Sequence, residues 1–239
     1  MASEHIVKSF DTELTRLESK IAEMGGLAES QLAETFEALV KHDNEAAARI
    51  IERDRRIDEI ETEVNALALR LLALRQPMAD DLRAAVAAIK IAADLERIGD
   101  YAKNVAKRIS AIADASPAPS IHSIARMGQL VQTMVKTVLD AYVARDADKA
   151  EDVRAQDEAV DQLHTSLFRE LLTYMMEDAR NISACTHLLF IAKNIERIGD
   201  HATNVAEAVL FLIRGRLPTE ERRKLDAASA PSTNPPERT

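Results

Sequence analysis

The sequence predicts an all-α protein: two tandem three-helix bundles that arose by internal duplication, followed by a mobile C-terminal tail. Three observations predict it. The 239 residues are rich in Ala, Leu, Ile and Val, with 3% aromatic residues, six Gly and seven Pro, a composition that favours helices over sheets. IAADLERIGDYAKNVA at 91–106 lies over IAKNIERIGDHATNVA at 191–206 with 11 of 16 positions identical, at an offset of 100. Apolar residues recur at helical spacing through each copy.

Weaker matches extend the repeat. FEALVKHDNEAA (36–47) lies over LDAYVARDADKA (139–150), and DRRIDEIETEV (54–64) over DEAVDQLHTSL (157–167), both at an offset of 103. The register change falls between about 65 and 90, near RQPMADD in one copy and MMEDARN in the other.

Each unit reads as three helices. In the first, an amphipathic run from about Glu4 to Lys41 breaks at HDN, where Asp43 or Asn44 can cap the next helix. That helix reaches about Leu74; Pro77, Asp80 and Asp81 then start a third, which continues to about Ala113. SPAPS at 116–120 cannot continue a helix and joins the units. The second unit repeats the plan near 121–144, 148–176 and 181–214. We therefore divide the chain into a first bundle at 1–115, a second at 121–215 and a polar, Pro-rich tail at 216–239.

Charge and motif content narrow the function. Lys plus Arg total 31 against 40 Asp plus Glu, a formal net charge of -9, so nucleic acid and anionic membranes are disfavoured partners. The N-terminal MASEHIVKSFDTEL lacks a basic start followed by an apolar core, and no run approaches the ~18 apolar residues of a membrane span. With Cys185 as the single cysteine, a disulfide framework is excluded and a reducing compartment is expected. These features predict a cytoplasmic protein without membrane insertion. Cys185 and the pair Met175 and Met176 read as core residues, and His5, His42, His122, His187 and His201 are scattered. No Gly-rich phosphate loop, GxSxG or HExxH is present; no catalytic residue is assigned.

The acidic pattern is the exception to this plain picture. In the third helix, Ile91, Leu95, Ile98, Ala102, Val105, Ile109 and Ile112 form the expected buried stripe, with Glu96, Asp100 and Asn104 across from it. In the second helix, Asp54, Asp58 and Glu61 lie off the seam of Ile57, Ile60, Val64, Leu67 and Leu71. The second unit repeats this with Asp157, Asp161 and His164, and with Glu196, Asp200 and Asn204.

An isolated acidic pair four residues apart is ordinarily a solvated helix face. Here like charges that repel by a few tenths of a kcal/mol recur four times. Gly99 and Gly199, each costing ~1 kcal/mol within a helix, precede the last carboxylate of each set. Glycine gives clearance for close approach, and a multivalent cation is the natural neutraliser. All-oxygen ligands suit hard ions, so iron, manganese, magnesium or calcium rank above copper, with zinc admissible. The Glu-x-x-His of di-iron bundles is absent. Arg97 and Arg197 are either neighbours that bond these ligands or plain surface ion pairs.

Two three-helix units, paired (Asp/Glu)xxxAsp motifs, the repeated ERIGDxAxNVA and RQPMADDLR ahead of the third helix resemble the PhoU proteins, over about residues 5–214. The resemblance implies multinuclear metal clusters, with iron or manganese favoured and zinc or magnesium admissible. Its ligands here would be Asp54, Asp58, Glu96, Asp100, Asp157, Asp161, Glu196 and Asp200. Asn104, Asn204, Glu61 and His164 are additional metal or supporting positions. The resemblance further implies a homodimer and a non-enzymatic negative regulator of the phosphate-starvation response. Such a regulator contacts the phosphate transporter ATPase subunit and a membrane sensor histidine kinase. Tyr101, where the second copy has His201, makes the two sites unequal.

Two rival readings predict different observations. A metal-dependent hydrolase acting on phosphate compounds needs an activated water and an open coordination position, whereas the acidic faces read as too exposed to exclude water. A plain structural bundle predicts no bound metal.

Overall fold

A computed structural model describes the backbone at residues 2–75, 78–112 and 121–218, and side chains within these from residue 12 onward, Arg75 excepted. The helices are α1 (Ala2–Lys41), α2 (Asn44–Arg53), α3 (Arg55–Arg75), α4 (Ala79–Ile112), α5 (Ile121–Ala144), α6 (Ala147–Glu177) and α7 (Ile182–Arg214). No strand occurs among the described residues. The SPAPS joint, Pro77, the side chain of His5 and the tail from 219 onward lie outside the described residues.

Capping explains the boundaries. Asp43 caps α2 by accepting from the Ala46 amide at 2.9 Å, as an aspartate before a helix should. Asp146 caps α6, accepting from the Asp148 and Lys149 amides at 3.1 Å each. Gly215 ends α7 with φ +71° and returns its amide to the Phe211 carbonyl at 2.9 Å, the left-handed stop that glycine accepts without strain.

The first unit departs from its predicted three helices. The rod expected to run unbroken to Leu74 is two segments, α2 and α3, joined at Asp54. There the Asp54 carbonyl accepts from the Ile57 amide at 2.9 Å and from Asp58 at 3.4 Å, a tightened turn inside an otherwise continuous rod. Its counterpart α6 passes through Asp157 without a break.

The two bundles share one core. Besides the contacts inside each unit, α4 packs along α7 and α1 along α5. The buried apolar residues form one cluster running from Leu17 and Ile21 through Ile98 and Val105 to Ile195 and Leu210. Because α4 meets α1, α2, α3 and α7, it buries Ala87, Ala88, Ala92 and Ala106 besides the expected stripe. A single apolar face was too narrow an expectation for a helix with neighbours on several sides. Cys185 is in the core and its thiol is pushed up by burial. Met175 packs against the core, but Met176 is 87% exposed and is not core filler; adjacent helical residues point about 100° apart.

Candidate metal centre

The first acidic set assembles where α2, α3 and α4 meet under α1. Asp54 was expected off the core seam, yet it is 2% exposed. Gln31 of α1 covers it, donating from Nε2 to Asp54 Oδ1 at 2.8 Å and to the Gly99 carbonyl at 3.0 Å. Gly99 permits this approach: a Cβ there would sit 2.9 Å from Ile57 Cδ1 and 3.3 Å from Asp54 Oδ1. The clearance inferred from the sequence is therefore real in this unit, and it admits Asp54 and Ile57. In the second unit a Cβ on Gly199 would meet Val160 no closer than 3.4 Å, ordinary contact.

The first set is one electrostatic cluster. Asp58 is exposed; its carboxyl is nonetheless raised, first by desolvation and then by the charge of Asp54, with Asp100 and Glu61 adding to it. Glu96 is pushed up to about 7, by burial first and then by Asp100, with Glu61 adding and Arg97 opposing. Arg97 lies 3.4 Å from Glu96 and 3.6 Å from Asp100, so it bonds the candidate ligands and is 57% exposed in doing so. Glu61 accepts from Asn65 at 3.2 Å.

A residue that the acidic pattern did not single out stands at the centre. Lys103 pairs with both Asp54 and Asp100. Burial alone would lower the pKa of its ammonium, but the hydrogen bonds to Asp100 and Asp54 outweigh that and raise it. The first set thus carries its own cation, held between one carboxylate from each side of the seam. With that ammonium in place the first set does not fit a metal ion.

The second set uses the same scaffold with a different charge balance. Thr203 occupies the position of Lys103 and donates from Oγ1 to Asp157 at 3.2 Å and to the Gly199 carbonyl at 3.1 Å. Thr203 meets Asp157 and Gly199 meets Val160, so α6 and α7 run antiparallel. That register carries Asp161 and His164 toward Glu196 and Asp200. Asp161, His164 and Glu196 are 8%, 7% and 6% exposed; the expectation that these groups face water is corrected for all three. Lys193 donates to Glu196 at 2.9 Å. Oxygen donors with one imidazole are a set that fits a hard or borderline cation. Among the described residues no three His, Cys, Asp or Glu side chains already converge as metal ligands, so ligation requires rotamer changes here.

Asn104 and Asn204 lie on the α4–α7 seam. Asn204 donates to Asp94 at 3.0 Å, and His201 Nδ1 lies 2.7 Å from the same oxygen. The His201 ring also stacks near Tyr101, centroids 5.5 Å apart. The non-identity of Tyr101 and His201 is thus spent on the contact between units.

These features define a class: a duplicated helical bundle whose two units each bury acidic side chains in a seam between their second and third helices. The chain belongs to the PhoU family, matching the PhoU domain at residues 21–109 and again at 124–209. It is 51% identical over 228 residues to the phosphate-specific transport system accessory protein PhoU homolog of Caulobacter vibrioides, covering 95% of this chain and 99% of that one. The homolog of Rhizobium meliloti is 49% identical, with 96% and 97% covered. The crystal structure of PhoU from Pseudomonas aeruginosa superimposes with a TM-score of 0.84 at 40% identity, covering 87% of this chain and all of that one. The phosphate transport system regulatory protein PhoU from Streptococcus pneumoniae gives 0.82 at 31% identity, with 87% and 99% covered.

Proposed function

We propose that this protein is a cytoplasmic, non-enzymatic accessory regulator of phosphate uptake that binds a multivalent cation and restrains the phosphate-starvation response. Its relatives are named as accessory and regulatory proteins of phosphate transport, and no described helix is long and apolar enough to cross a membrane. Action at a transporter then requires docking, and the partners we propose are the transporter ATPase subunit and a membrane sensor histidine kinase, met by a homodimer.

The observation that carries the cation reading is the burial of two acids, Asp161 and Glu196, together with the imidazole of His164 in one seam. Burying carboxylates is costly unless they are neutralised. In the first unit Lys103 supplies charge; in the second Lys193 bonds Glu196, and the cluster of acids with His164 is the place we assign to a multivalent cation. The ligands we assign are Asp157, Asp161, Glu196 and Asp200, with His164 as the nitrogen donor, and iron or manganese as the favoured ions. Asp54, Asp58, Glu96 and Asp100 are a second, weaker position that opens when Lys103 withdraws.

Elemental analysis after equilibration with iron or manganese tests this. Wild type should retain metal, and a Glu196→Gln, Asp200→Asn variant should lose most of it. Equal, negligible metal in both would leave a plain structural bundle. A phosphatase assay with manganese separates the hydrolase reading, which requires turnover that the same variant abolishes. In cells, loss of the protein should switch on a phosphate-starvation reporter in phosphate-replete medium.

A further inference from the structure

The duplication supplies an internal control for one region that the acidic sites do not use. Along the α4–α7 seam, Asp94 meets Asn204 and His201, Tyr101 meets Arg197 and His201, and Arg108 meets Phe190 and His187. The two third helices therefore run antiparallel about a pseudo-two-fold axis near Gly99 and Gly199. Each end of the seam has a counterpart at the other end, offset by 100 residues.

The ends differ sharply in charge. At one end Asn104, Lys107, Arg108, His187, Phe190, Lys193, Asn194 and Arg197 line an open groove of about 590 Å³, with Ala111. No carboxylate lines it, and its formal charge is +4 from Lys107, Arg108, Lys193 and Arg197. The equivalent positions at the other end hold Glu207, Ala208, Ala93 and Arg97, with Lys90 and Asp94 in place of Phe190 and Asn194. Those residues sum to zero: Arg97 and Lys90 against Glu207 and Asp94. A chain of net charge -9 has thus gathered four cations at one of two related places.

We infer that this basic groove binds a small phosphate-bearing polyanion. Clustered like charges repel one another, and a bound anion relieves the repulsion. Guanidinium forks with lysine ammonium groups suit phosphate oxygens. The Arg108 guanidinium rests on the half-exposed Phe190 ring, 4.2 Å from its centroid, which holds it in place. His187 Nδ1 lies 3.3 Å from Arg108. Lys193 is shared with Glu196 outside the groove, and Arg197 stands over Tyr101 at 5.6 Å.

The volume lies in the range of small-ligand sites, roughly 300–1,000 Å³, and the lining is polar apart from Ala111 and Phe190. A second copy docked symmetrically groove to groove would set four cations against four. An acidic protein segment is the competing occupant; with so little apolar lining to anchor it, the small anion is favoured.

Calorimetry on the full chain in low salt, with chelator present to empty the acidic sites, tests the inference without reference to metal. Pyrophosphate and ATP should each bind saturably below about 1 mM, more tightly than citrate, and weaken steeply as salt rises. Inorganic phosphate should bind more weakly. Lys107→Glu with Arg108→Glu should lower affinity at least tenfold while the circular dichroism melting curve stays in place. Lys90→Glu, at the opposite end, should leave affinity unchanged. If the groove variant itself melts early, Lys107→Gln with Arg108→Gln should still weaken binding at least threefold. Three outcomes would overturn the proposal: no binding at millimolar pyrophosphate, equal affinity in the groove variants, or binding of poly-glutamate in preference to pyrophosphate.

Discussion

Lys103 of α4 reaches Asp54 at the joint of α2 and α3, where the carboxylate is 3% exposed. That ion pair, shared with Asp100, gives the first unit an internal cation at the position where the second has Thr203. Removing one partner of a buried pair leaves the other uncompensated. Lys103 is 20% exposed, so Lys103→Thr should cost about 1–2 kcal/mol in chelator, below the usual penalty for a fully buried pair. Manganese should restore that stability and raise the metal content above wild type. Urea titration with and without manganese, beside elemental analysis, measures both; loss of stability without metal uptake would leave Lys103 purely structural.

The two glycines that punctuate ERIGD should respond differently to alanine. Alanine is better in a helix by ~1 kcal/mol. At Gly199 the new methyl finds ordinary contact with Val160, so Gly199→Ala should be neutral or stabilising by up to about 1 kcal/mol. At Gly99 it meets Ile57, one carbon longer than Val160, together with Asp54. Gly99→Ala should therefore be less stable than Gly199→Ala by on the order of 1 kcal/mol. Denaturant midpoints of the two variants decide it.

This contrast shows what was legible in the linear chain. The repeat, the helix order and the Asp43 cap are local or periodic signals and could be read directly. The motif also located the acids, because (Asp/Glu)xxxAsp fixes a helix face. Their depth was not readable: Asp54 is covered by Gln31, 23 residues earlier and on another helix. Lys103 resembled any lysine on a helix face until the register of α4 against α2 was known. The basic groove was hidden for the same reason. Lys107 and Arg108 are separated in the chain from Lys193 and Arg197, and only the packing of α4 on α7 unites them.

The protonation of Glu96 predicts a pH dependence of the fold. Its folded-state value is about 7 against an ordinary 4.5, so between these the folded state binds more protons than the unfolded one. Stability therefore falls as pH rises through that window, and the penalty is fully present above about 7. Glu96→Gln should remove on the order of 1–2 kcal/mol of that decline, after allowance for solvent screening. Urea titrations of wild type and variant across the window measure it, in chelator. Parallel curves at every pH would show that folding leaves the proton affinity of Glu96 unchanged.

The last prediction concerns how the units are held together. Asp94 of the first unit accepts from Asn204 at 3.0 Å and lies 2.7 Å from His201 of the second, in a seam where Asp94 is 17% and His201 21% exposed. The equivalent position at the basic end is Asn194, so this acidic contact exists once, at the end of the seam away from the groove. Asp94→Ala removes the acceptor shared by Asn204 and His201 and should cost roughly 1–2 kcal/mol. A cycle with His201→Ala should show coupling of about 0.5–1.5 kcal/mol, as expected for residues in one hydrogen-bonded network. Because α4 and α7 belong to a single shared core, the loss should appear as one cooperative transition at a lower midpoint. Two separate transitions would show that the bundles unfold independently and that this seam is only a contact between finished domains.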